Sequence, residues 1–357
     1  MKSYSGVPSP SQAYGKRESQ GLLKGAIVGF GKMAENGHLP GWQRTSKIQL
    51  TAVADPRPER RKWAQELIDG IRTYARIDDL LRTEDLDFVD ICTPPPYHAP
   101  LIIQCLKQNL HVLCEKPFVS TMREYHRIRT LVEKGQKTAF PVHNWKHAPI
   151  LAEAKDRILT GAIGHVLHCE FHTLRSKPAE GLSAWRDKAD EAGGGGILMD
   201  HGWHAFYILL NLNQQRPVAV TAWMNPLLTS GAAERSVHLF LEFQSSTATM
   251  YLTWDASDRY NAARVYGTSG ILCIEDDRLS LSTKGGHEEA IAFPSPLSNG
   301  SHHPDWFDGV TERFLYEIQH PEHCGKALDE VYTCLQLTLM AYASARRGSR
   351  RMAVAQE

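Results

Sequence analysis

From Gly25 onward the chain sets short apolar runs against amphipathic helical stretches, and this alternation restricts the fold more than any other feature. GAIVG precedes a helical pattern over 33–46, and IQLTAVAD precedes a charged helix over 57–69. DFVDICT, HVLCEKP and KTAFPVHN then follow, separated by helices near 97–109 and 121–134. Strands joined through helices pair in parallel, so the pattern predicts βαβ units and a parallel sheet ending near residue 145. Beyond a helix at 149–160 the grammar changes. HVLHCEFHTL, VAVTAWM, RSVHLFLEF, TATMYLTWD, AARVYGT, GILCIED and RLSLST succeed one another with only turns between, which predicts an antiparallel sheet. In RSVHLFLEF, Val237, Leu239, Leu241 and Phe243 share one face. The other face carries Phe240, with Tyr251 expected beside it, and suggests a subunit interface. TERFLYEIQH and LDEVYTCLQLTLMAYASARRG close the chain as helices, the last expected to pack back on the first domain.

A chain of 357 residues accommodates two cores. The expected division is a Ser/Pro/Gly-rich flexible arm over 1–22, an α/β domain with a parallel sheet over 23–145, and an α+β domain with an open, mostly antiparallel sheet over 146–357. Lys+Arg 40 balances Asp+Glu 40 with no long basic run, which argues against a nucleic-acid partner. No stretch approaches the roughly 18–20 apolar residues of a membrane span, and MKSYSGVPSPSQAYGKRESQ lacks a signal-peptide core, so a cytoplasmic protein is expected. The seven cysteines form no C-x-x-C pair and read as buried small hydrophobes.

Gly29-Phe30-Gly31-Lys32-Met33-Ala34 spells G-x-G-x-x-A between an apolar strand and a helix. The first glycine makes the turn, the second lets backbone approach a pyrophosphate, and the helix N-terminus faces the phosphates, which is the Rossmann dinucleotide fingerprint. Asp55, ending the second strand in AVADP, is placed to accept from the adenosine ribose hydroxyls; otherwise it merely starts the turn at Pro56. It favours NAD over NADP, although Arg57 can pair with a 2′-phosphate. Thr93, Pro94 and His98, in TPPPYH, stand at a strand's carboxyl end where a stiff turn can wall a cofactor.

Glu115 and Lys116 also end a strand, and a lysine there is suited to proton chemistry near a nicotinamide. In AGGGGILMDHGWH, Asp200 and His204 are spaced i,i+4 on a helix. A carboxylate beside an imidazole fixes its tautomer and raises its basicity, as a general base requires. The competing account has Asp200 capping the helix and His204 satisfied in the core. His168, Glu170 and His172 share a strand face, and His302, His303 and Asp305 cluster, but neither group has a metal-ligand spacing. Residues facing a substrate cavity explain the first group as well, and no metal is expected.

Together GFGKMA, AVADP, ICTPPPYH, EKP, AIGHV, WRDKADEAGGGGILMDHGWH, VYGTSGILCIEDDRLSL and AYASARRG, in this order over about residues 24–352, resemble the Gfo/Idh/MocA family. The resemblance implies a Rossmann domain, an open sheet supporting homodimers or homotetramers, a nicotinamide cofactor, and a sugar, cyclitol or related polyol as substrate. Lys116 matches the family's active-site lysine, and Asp200 and His204 match its D-x-x-x-H element. Implied substrate contacts are Lys116, Lys146, Trp185, Arg186, Asp200 and His204. Asn144-Trp145-Lys146-His147 departs from the more usual Arg-containing segment, which leaves substrate identity open. The implied reaction oxidises a secondary alcohol, with Asp200 orienting His204, and either His204 or Lys116 as base. An NAD-assisted glycosidase or lyase and a non-catalytic sensor are the alternatives.

Overall fold

The computed structural model describes residues 22–178, 196–226 and 232–355. The expected N-terminal arm, apart from Leu22, and the segment holding Trp185 and Arg186 lie outside the described residues.

Six parallel strands form the first sheet: β1 (Leu23–Val28), β2 (Ile48–Ala54), β3 (Arg72–Tyr74), β4 (Phe88–Ile91), β5 (His111–Cys114) and β6 (Ala139–Pro141), in the order β3-β2-β1-β4-β5-β6. All four residues of β4 and of β5 are buried, as a sheet covered on both faces demands. Between the strands lie α1 (Leu39–Arg44), α2 (Pro58–Leu67), α3 (Ile77–Thr83), α4 (His98–Lys107) and α5 (Met122–Gly135). The strand order runs outward in both directions from β1 and β4, so a crevice opens outside their carboxyl ends.

After α6 (Pro149–Leu159), the second sheet comprises β7 (Val166–Leu174), β8 (Pro217–Asn225), β9 (Ser236–Phe243), β10 (Thr247–Thr253), β11 (Tyr260–Gly267), β12 (Gly270–Glu275), β13 (Arg278–Thr283), β14 (Glu288–Ala292) and β15 (Met352–Ala353). Its order is β14-β13-β12-β11-β7-β10-β9-β8-β15, antiparallel throughout except where β7 meets β10. α7 (Trp203–Asn213) and α9 (Ala327–Arg346) lie against it.

The outer face keeps Trp223 46%, Phe240 41% and Ile271 38% exposed. Tyr251 pairs with His238, their rings stacked at 4.4 Å, while Phe240 lies opposite Thr249. Along β7, Cys169 and Phe171 turn inward, so His168, Glu170 and His172 belong to this outer face. The reading that gave them to a substrate cavity is thereby corrected.

The division near residue 145 is not a division of cores. Phe307, Val310 and Phe314 of α8 (Phe307–Gln319) join Ile27, Trp42, Phe88 and Phe140 in one cluster, with the Phe88 and Phe314 rings 5.6 Å apart. α8 thus completes a layer of the first domain, while α9 touches α5 and β6 as well as β8.

Candidate active site

The crevice begins at the glycine turn. Gly29 has φ +86°, and a Cβ there would sit 2.8 Å from the Thr93 Cγ2 and 3.0 Å from the Cys92 carbonyl oxygen. Only glycine fits. A Cβ on Gly31 would meet nothing within 4 Å, so its backbone faces open space beside the first turn of a helix, whose amides have no intrahelical acceptor. Lys32 is exposed and Met33 half-buried there, while the Phe30 ring is buried and Arg60 bonds the Phe30 carbonyl at 2.6 Å. The Thr93 Oγ1, where the chain leaves β4 before Pro94, is buried without a partner. The open glycine and the orphaned hydroxyl fit a dinucleotide.

Asp55 departs from its expected role. Its carboxylate accepts from the Phe30 N–H at 2.8 Å and from the Arg57 N–H, Nε and Nη2 at 2.9, 3.0 and 2.9 Å. Burial favours the neutral acid, but the Arg57 hydrogen bonds and charge outweigh it and hold the carboxyl below its usual range. Its four acceptor positions are therefore filled from within the chain, by Phe30 and Arg57. His98 and Glu115 also turn away from the crevice. The His98 ring nitrogens lie 2.7 Å from the carbonyls of Thr93 and Pro117, tying the proline turn to the loop after β5. The Lys116–Pro117 peptide in that loop is cis.

Glu115 accepts from the Lys116 N–H at 2.9 Å and bonds the His38 Nε2 at 2.9 Å, while the His38 Nδ1 lies 2.8 Å from Asp90. The Trp42 Nε1 donates to the same Asp90 at 2.7 Å. Burial opposes the charge on His38, yet Asp90 beside it pushes its pKa well above the ordinary value, and a cation between two carboxylates satisfies the cluster. Sequence reasoning missed His38 and Asp90. The available signal was Asp90 itself, a carboxylate inside the apolar run FVDIC.

At the far end of the crevice lies the second cluster. The Lys116 Nζ donates to the Asp200 carbonyl at 2.9 Å and meets its Oδ1 at 3.3 Å. Asp200 Oδ2 is 3.7 Å from the His201 Nε2. The residues Leu198–Gly202 form a π turn running into α7, and the Lys116 Nζ bonds a carbonyl within it. The expected Asp200–His204 hydrogen bond is absent among the described residues. His204 Nδ1 instead bonds the Tyr207 hydroxyl at 2.6 Å.

That contact fixes a tautomer. The Tyr207 oxygen already accepts the Trp145 N–H at 3.1 Å, so the phenolic proton has only the His204 Nδ1 to receive it. Burial pushes the Tyr207 pKa well above its ordinary value and keeps that proton in place. Burial first, and the Lys116 charge second, press the His204 pKa well below normal. The hydrogen-bond pattern and the lowered pKa together favour a neutral imidazole with its proton on Nε2.

Lys146, expected to touch substrate, pairs with Glu330 at 2.6 Å, and Glu330 also bonds the His143 Nδ1 at 2.5 Å. Trp145, its neighbour in sequence, reaches the site instead. Its ring centroid lies 5.0 Å from that of His204 and 5.6 Å from that of Trp306.

A crevice of this topology, lined by an open glycine turn and ending on an ammonium, a carboxylate and an imidazole, has the parts of a dinucleotide-dependent oxidoreductase. Residues 23–143 match the model described as the oxidoreductase family with an NAD-binding Rossmann fold, and residues 151–273 match the GFO/IDH/MocA C-terminal domain. The chain belongs to the Gfo/Idh/MocA family of NAD-binding oxidoreductases. It is similar to D-apiose dehydrogenase of Paraburkholderia graminis, 25% identical over 77% of this chain and 74% of that protein. It is also similar to D-glucoside 3-dehydrogenase of Escherichia coli, 26% identical over 52% of this chain and 54% of that one. The chain spans about half the length of several curated relatives that it matches. In fold it resembles an Agrobacterium radiobacter oxidoreductase solved with NAD+, L-tartaric acid and magnesium, at TM-score 0.79 and 19% identity over 94% of this chain and 99% of that one. Among the described residues no helix is long and apolar enough to cross a membrane.

Proposed function

We propose that this chain interconverts a secondary alcohol and a ketone of a sugar, cyclitol or related polyol, using a nicotinamide dinucleotide as redox partner. The observation carrying this reading is the Lys116–Asp200 pair at the end of the dinucleotide crevice, with His204 bonded through Nδ1 to the Tyr207 hydroxyl. The names of relatives, D-apiose dehydrogenase and D-glucoside 3-dehydrogenase, support the substrate class. When bound, the nicotinamide supplies the acceptor or donor of the hydride.

The chain's own groups divide the remaining work. Lys116 takes up the hydroxyl proton on Nζ in the oxidation and returns it in the reduction, with Asp200 fixing Nζ by its carbonyl and carboxylate. His204 donates a hydrogen bond from Nε2 to that oxygen. A neutral imidazole with its proton already on Nε2 is a poor base at that atom, so it polarises a carbonyl or steadies an alkoxide. Asp200 thus serves Lys116 rather than His204.

Phe30, Gly31, Lys32 and Met33 supply backbone to the phosphates, and Thr93 and Pro94 wall the crevice. Seven free cysteines suit a reducing, cytoplasmic setting. The apolar outer face of the second sheet suits a second copy of this chain, giving a homodimer or homotetramer.

Lys116→Met tests the assignment. The variant should fold, bind the dinucleotide as the parent does, and lose on the order of 10²–10⁴ in turnover. Near-parental turnover on a true substrate would end it.

A further inference from the structure

Arg175 stands just past the end of β7 with 2% of its surface exposed. Its Nη1 donates to the carbonyls of Leu174 at 2.7 Å and Tyr260 at 3.2 Å, and its Nη2 donates to the Asn261 Oδ1 at 3.1 Å. Among the described residues no carboxylate lies within ion-pair distance of it, and its Nε is buried without a hydrogen-bond partner. A buried charge without a counterion is among the costliest things a fold can keep. Burial first, and the like charge of Arg259 second, lower its pKa to about 9, with Asp200 and Asp276 opposing from beyond ion-pair distance, so the guanidinium is still a cation at neutral pH.

The guanidinium lies at the candidate active site. Its carbon is 5.9 Å from the centroid of the Trp145 ring, whose other neighbours are His204, His303 and Trp306. His303 and Trp306 stack on each other at 3.5 Å, and the His303 Nε2 and Trp306 Nε1 are also buried without partners. Around one indole the described residues thus leave a guanidinium Nε, an indole Nε1 and an imidazole Nε2 buried without partners. Lys116 and His204, the groups proposed to touch the substrate, are themselves about nine-tenths enclosed, so Arg175 lies at a comparable depth.

We propose that the substrate bears a carboxylate, as an aldonic or uronic acid does, and that Arg175 receives it. This rests on the polyol reading above and narrows it. A carboxylate presents two oxygens to adjacent guanidinium nitrogens, and here the Nε is wholly unpaired while the Nη2 makes one bond with two protons. The nearby indole N–H is a further donor. A neutral polyol, with as many donors as acceptors, leaves the charge uncompensated.

Matched pairs test the proposal by binding rather than turnover. The dinucleotide-loaded protein is titrated calorimetrically with D-glucuronate against D-glucose, D-galacturonate against D-galactose, and D-gluconate against D-glucitol. In at least one pair the acid should bind roughly 10- to 100-fold tighter, the range for hydrogen bonds to a charged partner. Arg175→Met should abolish that preference while leaving dinucleotide affinity unchanged. The absence of an acid preference in every pair overturns the proposal, as does a preference that survives Arg175→Met. A variant that loses thermal stability, with the parent showing no acid preference, would make Arg175 a clamp between β7 and β11. Oxidation of neutral polyols without an acid preference sinks this proposal alone, whereas acid binding with no dinucleotide reduction sinks the oxidoreductase reading and leaves Arg175 as an acid-binding residue.

Discussion

Tyr207→Phe removes one oxygen atom and tests the division of labour between Lys116 and His204. The hydroxyl accepts the Trp145 N–H and donates to the His204 Nδ1, so its loss strands one buried donor and one buried acceptor. Each costs about 1–3 kcal/mol, and the variant should lose several degrees of Tm while still folding. The tautomer effect is separate. A net hydrogen bond of about 1 kcal/mol biases His204 toward the Nε2–H form by roughly five- to tenfold. Without it, both tautomers are populated.

The assay is nitrogen NMR on protein labelled at histidine. In the parent, the His204 Nδ1 should show the shift of an unprotonated ring nitrogen and the Nε2 that of a protonated one. In the variant the two shifts should converge, and turnover should fall about 10-fold or more while dinucleotide affinity holds. A parent with its proton on Nδ1 would refute the reasoning outright, because His204 would then present a lone pair to substrate and could serve as the base. Unchanged turnover in a variant whose tautomers have mixed would refute the catalytic weight given to the Nε2–H.

Arg57→Leu should weaken NADP binding by roughly 10- to 100-fold if Arg57 can pair a 2′-phosphate, and should leave NAD affinity equal or better by exposing the Asp55 carboxylate; equal losses for both cofactors would make Arg57 structural. Burial raises Glu234 and Glu317 to about 7 each, so the native state binds more protons than the unfolded chain between pH about 4.5 and 7, and stability should fall as pH rises through that window by roughly 2–3 kcal/mol per group. Glu234→Gln should flatten its share of that slope in pH-dependent melting, and an unchanged slope would reject the raised value. Phe240→Glu on the outer sheet face should yield a monomer by light scattering at concentrations where the parent is oligomeric, and a parent that is itself monomeric would refute the interface.

The pattern of strands and helices was legible because hydrophobic periodicity is a local property of the chain. The glycine turn was legible for a similar reason, since Gly29 must adopt φ +86° and Gly31 must leave space, and each demand falls on one residue. Directions of side chains were not legible, because partners decide them. His98 looked like a crevice residue until two carbonyls on either side claimed its nitrogens, and Lys146 looked like a substrate contact until Glu330, far along the chain, paired with it. The edge strands β3 and β15 are too short for a period to register, and β14, EEAIA, offers one large apolar side chain. α8 joined the first core because Phe307 and Phe314 match aromatic side chains of that domain, a pairing that no window of sequence contains.

The two π turns explain the largest departures together. One covers Ala34–His38 and the other Leu198–Gly202, so each lies where a spacing argument was being applied to a regular helix. The first lies on the helix that opens at the glycine turn and brings His38 to Asp90 and Glu115, and Glu115 in turn holds the Lys116 N–H. The second contains Asp200, whose carbonyl accepts from the Lys116 Nζ. Lys116 is thereby fixed at its backbone by one π turn and at its ammonium by the other. Wide turns cost regular hydrogen bonds and survive where another group takes up the freed ones. In this chain both π turns lie beside contacts of one lysine, and that supports the proposal that puts the proton chemistry on Lys116 rather than on the imidazole that the i,i+4 spacing first suggested.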